Sequence, residues 1–513
     1  MRLRWKELFA SNVDADLPWN RWDFVAIAVA FFAVIWVFAL KLKTFFDLGY
    51  TTDLFASVQL ARSWLEGRGL LTANWFPHML SVHTYFLLVP LGLIAKPFGA
   101  PGLLFVLALS VGAAYFWATR VLRLLGVGGS LAITAAGVLF LSPLSVAFYQ
   151  DPVFGFHVEI LAPTLCLILF YFLLRQRLIP SILSMLAVIS VKEDAPIAAS
   201  IVAIVAAVET LNSPSGKRSG SRYNWTAIII MCLSLLMIPL LLAISWSQSP
   251  KTYSDYTLRR LGIAPPGSLS GPSALFGFIS SHATDWLGSG DVRQWLWVML
   301  VGSFGAILLR PYYLIPGVLT TLVAWLMKRN DLFWTPRFYS TQVLLCCVTV
   351  VGFASVVRAL ILDKSWARFA LFAATILLIT LSASAQLRLV PTACQAYLLR
   401  SDSPYSPVER EQADAIFSRY RRESKPDQPV VASPMLFRYA HDRNLFSLAM
   451  RLPVPIWILG DSADKFGQSV SSEAITVRWP GRDAVTRPDI CIEDYIVVDQ
   501  RGRFVLLRKK EEQ

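Results

Sequence analysis

The chain carries little charge for its length. Of its 513 residues only 16% are Asp, Glu, Lys or Arg, while 55% are hydrophobic and the mean hydropathy is +0.53. Soluble domains carry about 25% charged residues, so the composition excludes an ordinary soluble protein. Apolar stretches of about 20 residues, long enough to cross a bilayer, recur between residues 23 and 386. The sequence therefore predicts a polytopic α-helical membrane protein with about 11 transmembrane helices.

Motifs for zinc and for nucleotides are also absent. The six cysteines include no Cys-x-x-Cys pair and no Cys/His cluster, which disfavours a structural zinc site. Cys394 and Cys491 could form one disulfide if the C-terminal part of the chain lies outside the cytoplasm. That part has no Gly-x-Gly-x-x-Gly or Gly-Lys-Ser/Thr loop, so no nucleotide site is indicated there.

Acidic residues are fewer than basic ones, with 34 Asp and Glu against 47 Lys and Arg and a net charge of +13. Such an excess could indicate nucleic-acid binding. Membrane proteins, however, concentrate Lys and Arg in their cytoplasmic loops, and this interpretation is favoured, so no nucleic-acid partner is expected. Arg2, Arg4, Lys6 and Arg21 place the N-terminus in the cytoplasm.

The charges between the apolar runs predict a topology. After a first span at 22–41, the segment 82–97 is short and holds two prolines, so we predict that it lies at the membrane interface rather than crossing. Every short basic loop then falls inside, while the acidic clusters and the long loops 43–101 and 247–293 fall outside. The next predicted spans are 102–119, 130–149, 156–174, 179–191, 195–210 and 225–246, and four more follow.

Residues 389–513 differ from the preceding residues 1–388, which form the predicted transmembrane domain. They are charged, contain proline and hold short strand-like runs, which predicts a small extracytoplasmic α/β domain of about 125 residues, large enough for a modest core. The predicted helix is 408–421, and the predicted strands are 430–432, 456–459, 495–498 and 504–507.

Two aspartates follow the first span. Asp47 lies at the membrane interface after two phenylalanines and before Gly49, where a carboxylate is suited to take a proton from a hydroxyl group. Asp53 begins an amphipathic run that ends at Gly67, so it is either the N-cap of an interfacial helix or a second catalytic carboxylate.

Asp151, His157 and Glu159 surround the start of the span predicted at 156–174. Acidic residues near a helix N-terminus can simply complement the helix dipole. Alternatively, a histidine and two carboxylates could bind a divalent metal, Mg or Mn, or position a substrate.

Lys192, Glu193 and Asp194 are consecutive charges between two strongly apolar runs. Lipid does not tolerate such charges, so either they pair with one another or they face a cavity shared with Asp47 and His157. A lysine at this depth is suited to contact a phosphate.

Four further residues are weaker candidates for substrate binding. His83 begins the segment predicted to lie at the interface. Arg259 and Arg260 lie in the second long outer loop, and Arg337 begins a later span on the same side. Charged runs of this kind more often form a solvated face.

The order and spacing of these motifs resemble a family of bacterial and archaeal membrane proteins called domain of unknown function 2079 (DUF2079). The resemblance rests on Phe46-Asp47-Leu48-Gly49, Asp53, His83, Phe156-His157-Val158-Glu159, Lys192-Glu193-Asp194 and Arg337-Phe338-Tyr339, and it extends into the C-terminal strands. The layout of that family is similar to the GT-C superfamily of membrane glycosyltransferases. The resemblance implies a GT-C-like fold, a polyprenyl-phosphate sugar as donor and an inverting reaction.

The residues and the resemblance together predict a membrane glycosyltransferase of the bacterial cytoplasmic membrane. It would transfer a sugar from a polyprenyl-phosphate donor to an envelope glycan, lipid or protein on the extracytoplasmic side. Asp47 would act as the general base, and Lys192, with Arg259 or Arg260, would hold the phosphate. A transporter is an alternative, although no internal repeat of the kind found in transporters is visible. A non-enzymatic scaffold or sensor is another, although it would not need charges inside the membrane.

Overall fold

A computed structural model of the chain describes residues 17–74, 79–81, 83–140, 155–211, 224–248, 403–447, 455–463, 468–471, 475–478, 484–486 and 490–510. The helices in this part are α1 (Arg21–Phe46), α2 (Thr52–Arg62), α3 (Leu88–Leu124), α4 (Gly129–Phe140), α5 (Ala162–Leu174), α6 (Leu178–Ile189), α7 (Ala195–Leu211), α8 (Trp225–Gln248) and α9 (Pro407–Glu423). Short 3-10 turns at Ser63–Glu66, Met79–Ser81 and Val158–Leu161 connect them.

Within the described ranges, three helices are long and apolar enough to cross a membrane: α1, α3 and residues Trp225–Ser245 of α8. The apolar segments Val158–Leu174, Leu178–Ile189 and Ala195–Leu211 are shorter. Each of the six overlaps a predicted span. The ends shift by a few residues except in α3, which begins at Leu88, inside the segment predicted to lie at the interface. The four spans predicted after residue 248 lie outside the described residues, so the total of about 11 stays a prediction.

A kink at Gly99 divides α3 into the predicted interfacial segment and the following span. Gly99 has φ 58° and ψ −139°, a combination that residues with a side chain rarely adopt. A Cβ at this position would come within 2.6 Å of His441 Nδ1. The sequence predicted two separate elements at 82–97 and 102–119. The structure instead begins the first element at Leu88 and joins it to the second through the glycine.

The charged residues lie at the two opposite ends of the membrane helices. At one end, the start of α3 meets the end of α6, where Leu87 N donates to Ser190 O at 2.7 Å. At the other end, the start of α1 meets the end of α3, because Asp23 pairs with Arg120 at 2.7 Å and also with Arg123. Among the described helices, the motifs after α1, before α3, before α5 and before α7 therefore share one end, as the sequence predicted.

The C-terminal part forms an α/β unit. Its strands are β1 (Pro429–Ala432), β2 (Asn444–Ser447), β3 (Trp457–Asp461), β4 (Gln468–Val470), β5 (Ile475–Arg478), β6 (Ala484–Thr486), β7 (Tyr495–Arg501) and β8 (Phe504–Lys509). One sheet has the order β2-β1-β3-β8-β7, with β1 parallel to β2 and β3 and the other pairs antiparallel, and β4-β5-β6 form a second, antiparallel sheet. The predicted helix and four strands correspond to α9, β1, β3, β7 and β8, whereas the short β2, β4, β5 and β6 were missed.

The C-terminal unit covers α2. Gln59 Nε2 donates to Leu445 O at 2.9 Å, and Arg62 donates to a carbonyl of the same segment. The rings of Phe55 and Phe437 pack edge to face, with centroids 5.7 Å apart. The helix lies where the sequence predicted an amphipathic one, and backbone carbonyls of the C-terminal unit accept hydrogen bonds from its Gln59 and Arg62 side chains. Its location at the membrane interface stays a prediction.

Of the two roles predicted for Asp53, the N-cap of α2 is wrong. Thr51 occupies the cap position with extended backbone angles, and Asp53 lies inside the first turn of the helix. In that position the carboxylate still complements the N-terminal end of the helix dipole. Its side chain is directed instead to a residue of another segment, which makes it part of the site described next.

Candidate active site at one end of the membrane helices

Asp53 and His157 form a partly accessible pair in the site. His157 Nε2 lies 2.7 Å from Asp53 Oδ2, and about a third of the Asp53 side chain is exposed (32%). Thr52 Oγ1 donates to the other carboxylate oxygen at 3.1 Å. His157 precedes the 3-10 turn Val158–Leu161 in extended conformation, so the turn holds the ring against the first turn of α2. A carboxylate bonded to an imidazole is a common arrangement for moving a proton.

Gly155 allows the chain before His157 to come close to the segment that follows α1. Gly155 has φ +77°, and a Cβ there would come within 2.8 Å of the Tyr50 ring. Tyr50 is itself buried, and the Lys41 ammonium lies over its ring at 5.6 Å from the centroid. The chain before His157 can therefore pack directly against the segment that follows α1, which brings two stretches about one hundred residues apart into one site.

Glu159 lies deeper than Asp53. One carboxylate oxygen, Oε1, accepts a hydrogen bond from Tyr85 OH at 2.8 Å and one from Lys192 Nζ at 3.3 Å. Glu159 and Lys192 are 1% and 3% exposed. Charges buried to this degree persist only when they are paired and hydrogen-bonded, so Lys192 and Tyr85 together hold an ionised Glu159 in the interior.

The connection between α6 and α7 supplies two more carboxylates. Glu193 Oε1 lies 2.9 Å from His83 Nδ1, and its other oxygen accepts from Thr84 N at 3.3 Å. Burial raises the pKa of Glu193, but the His83 charge and hydrogen bond outweigh this effect and bring it to about 2. Burial, with the neighbouring charges of Glu193 and Glu159, raises the pKa of Asp194 to about 7 despite the opposing effect of Lys192. The two adjacent carboxyl groups therefore lose their protons in different pH ranges.

Asp47 has different partners from the rest of the cluster. It ends α1, and its carboxylate pairs with Lys43 at 2.7 Å and with Arg410 of α9. Next to it, Arg438 of the C-terminal unit donates to Phe46 O and lies over the Phe46 ring, 5.0 Å from its centroid. Two cations already occupy the oxygens that a general base would offer to a substrate. In this structure Asp47 connects the first membrane helix to the C-terminal unit.

The predicted metal site is not assembled in the described part of the chain. No group of three or more His, Cys, Asp or Glu residues there is arranged to hold a metal ion. His157 is bonded to Asp53, and the Lys192 ammonium lies beside Glu159, where a second cation would be repelled. The predicted Mg or Mn site stays a prediction, because its third ligand, Asp151, lies outside the described residues. Asp151, Arg259, Arg260 and Arg337 lie outside the described residues, so their predicted roles stay predictions, and the same is true of a disulfide that involves Cys394.

Sequence reasoning missed several residues of the site. Tyr85 and Thr84 directly follow His83, and their bonds to Glu159 and Glu193 show that the whole His-Thr-Tyr segment belongs to the cluster. The His83 and Tyr85 rings also stack, with centroids 4.8 Å apart. Lys41 could have been predicted from the sequence, because a lysine inside an apolar helix requires a partner.

The solved structures that match the chain include two of ArnT from Cupriavidus metallidurans, each at 13% sequence identity. The structure bound to undecaprenyl phosphate matches with a TM-score of 0.48, and the apo structure matches with a TM-score of 0.43. Each match covers 95% of this chain and 97% of the other. No curated protein sequence matches the chain significantly.

A family model described as "Predicted membrane protein (DUF2079)" matches residues 41–436. This range contains Asp47, Asp53, His83, His157, Glu159 and Lys192 to Asp194, and it reaches into the C-terminal unit. It agrees with the apolar helices, which have the length and composition of membrane spans, and it confirms the resemblance seen in the motifs. The chain therefore belongs to the DUF2079 family of predicted membrane proteins.

Proposed function

We propose that this protein is a membrane glycosyltransferase that transfers a sugar from a polyprenyl-phosphate donor to a hydroxyl group of an envelope glycan, lipid or protein. The observation that carries the proposal is the gathering of Asp53, His157, Glu159 and Lys192 at one end of the membrane helices. The partly exposed carboxylate of Asp53, bonded to the His157 imidazole, lies there beside a buried charge pair. Chemistry at a lipid headgroup requires such groups at the membrane boundary, whereas a transporter places its charges near the midplane.

The proposed mechanism uses Asp53 as the general base. With its proton on Nε2, His157 donates to Asp53 Oδ2 and fixes the carboxylate, while Asp53 takes the proton of the acceptor hydroxyl. The acceptor oxygen then attacks the anomeric carbon as the bond from that carbon to the phosphate oxygen breaks. The electron pair leaves with the polyprenyl phosphate, and the anomeric configuration inverts. Lys192 contributes positive charge near the leaving phosphate while it holds Glu159.

The choice of Asp53 over Asp47 rests on their partners and their exposure. The Asp53 side chain is 32% exposed and Asp47 only 14%. Asp47 is paired with Lys43 and with Arg410, and we assign it to docking of the C-terminal unit. This unit would then cover the first outer loop and present the acceptor to the site. The predicted orientation, with this end of the helices outside the cytoplasm, is part of the proposal.

The test is transfer by the purified full-length protein in lipid nanodiscs. The donors are radiolabelled polyprenyl-phosphate sugars and the acceptor is an extracted envelope fraction. Asp53→Asn should lower the rate by roughly a hundredfold to ten-thousandfold, because it removes a general base and keeps the side-chain shape. The matched variant Asp47→Asn should lower it by less than about tenfold, since it weakens partly exposed ion pairs. Equal activity of Asp53→Asn and wild type would refute the mechanism, and no transfer from any donor would refute the function.

A further inference from the structure

Three buried polar atoms of the site have no hydrogen-bond partner among the described residues: Thr84 Oγ1, Glu159 Oε2 and Asp194 Oδ1. Thr84 is 0% exposed and Glu159 is 1% exposed. Native structures rarely leave such atoms unsatisfied, because each costs about 1–3 kcal/mol. Three of them in one cluster indicate that something polar binds there.

The three atoms lie on segments that are in direct contact. Thr84 N donates to Glu193, the neighbour of Asp194, at 3.3 Å. The residue after Thr84, Tyr85, donates to Glu159 at 2.8 Å. Lys192 reaches Glu159 from the same segment that carries Asp194. Hydrogen bonds thus connect the three segments, and each segment contributes one unsatisfied atom.

We propose that Thr84, Glu159 and Asp194 form the subsite for the sugar of the donor and select an uncharged sugar with at least two free hydroxyl groups. Glu159 Oε2 and Asp194 Oδ1 would accept hydrogen bonds from two hydroxyls, and Thr84 Oγ1 would donate to or accept from a third oxygen. This inference rests on the proposed function, because it names the substrate class of the same site. It assigns these residues to binding and leaves the proton transfer to Asp53.

The charge of the carboxylates would make the subsite select neutral sugars over acidic ones. The cations of the cluster already contact carboxylates, since Lys192 contacts Glu159 and His83 contacts Glu193. A sugar that carries its own carboxylate would add a further negative charge beside the ionised Glu159. A neutral sugar would meet acceptors that match its hydroxyl groups. A site with buried carboxylates therefore rejects a uronate and accepts a hexose.

The experiment measures binding to the full chain in nanodiscs. The probes are undecaprenyl phosphate carrying glucose, galactose or mannose, undecaprenyl phosphate carrying glucuronate, and bare undecaprenyl phosphate. Wild type should bind at least one neutral sugar lipid about tenfold or more tightly than the glucuronate lipid. Thr84→Val keeps the shape but removes the hydroxyl, so it should weaken binding of that neutral lipid roughly fivefold to tenfold without changing binding of bare undecaprenyl phosphate.

Two more variants complete the design. Glu159→Gln removes a negative charge, so it should narrow the preference for the neutral lipid over the glucuronate lipid. Thr119→Val is the matched control, since Thr119 is also 0% exposed but lies near the opposite end of α3. It should leave all affinities unchanged. If Glu159→Gln does not fold, Thr84→Val alone still tests the subsite.

The outcomes separate this inference from the proposed function. If neutral sugar lipids bind and are transferred, but Thr84→Val changes no sugar-dependent affinity, only the subsite is refuted. Tighter binding of the glucuronate lipid by wild type would likewise refute the subsite alone. If bare and sugar-bearing lipids all fail to bind, the proposed function and the subsite are both refuted.

Discussion

The buried pair of Lys192 and Glu159 should make a large and measurable contribution to stability. Their charged atoms are 3.3 Å apart, and the side chains are 4% and 2% exposed. At an effective dielectric constant of about 20, Coulomb's law gives an attraction of about 5 kcal/mol. Removal of one partner leaves the other charge buried and uncompensated, which costs about 3–5 kcal/mol. Lys192→Met and Glu159→Gln should therefore each destabilise the protein strongly.

The double variant distinguishes a real pair from two independent effects. Lys192→Met/Glu159→Gln removes both charges together, so it should lose clearly less than the sum of the two single losses, with a coupling energy of about 2 kcal/mol or more. Lys43→Met is the matched control. Lys43 pairs with Asp47 at 2.7 Å, but its side chain is 37% exposed, and such a pair contributes at most about 1 kcal/mol.

The assay is thermal unfolding in one detergent, followed by the fluorescence of the 17 tryptophans. A loss of 3 kcal/mol should lower the apparent Tm by roughly 6–12 °C, on the scale of domains of about 150–250 residues. Two results would refute the reasoning. One is strict additivity in the double variant. The other is a loss for Lys192→Met that is no larger than the loss for Lys43→Met.

Two further predictions concern a carboxyl group and a glycine. The pKa of Asp194 is raised from 3.8 to about 7, so the folded state binds a proton that the unfolded state releases. The free energy of unfolding should therefore fall between about pH 4 and pH 7, by at most about 4 kcal/mol from this group. Asp194→Asn should flatten that slope in unfolding curves, and an unchanged slope would contradict the assignment. Gly99→Ala should destabilise the protein by about 1–3 kcal/mol or more, because Gly99 has φ +58° and a Cβ would meet His441. Gly128→Ala, with open space around it, is the control in the same melting assay, and equal Tm values for the two variants would contradict the prediction.

The motifs of the site could be located from the sequence because charge is costly beside lipid. Asp53, His157, Glu159 and the run from Lys192 to Asp194 are conspicuous against apolar surroundings. Basic and acidic loops alternate along the chain, and this alternation alone predicted that the motifs share one end of the helices. The described helices place them together, with the basic Arg120 and Arg123 at the other end.

The function of each carboxylate could not be predicted in the same way. Asp47 and Asp53 look alike in the sequence, because both follow the first apolar run near an interface. Their proposed roles differ because Arg410, which lies 363 residues after Asp47, pairs with Asp47. Thr84 and Tyr85 gave no signal, since a threonine and a tyrosine beside a membrane are ordinary.

The sequence by itself determined the class of protein, the positions of the membrane helices, the main C-terminal strands and the family. These properties follow from hydrophobicity and short-range pattern, which act over one helix or one strand at a time. Only the tertiary structure decided which charges meet. His157 and Asp53 are 104 residues apart, and His83 and Glu193 are 110 residues apart. Contacts over such separations depend on how helices pack, because each buried charge takes the partner that packing brings within about 3 Å.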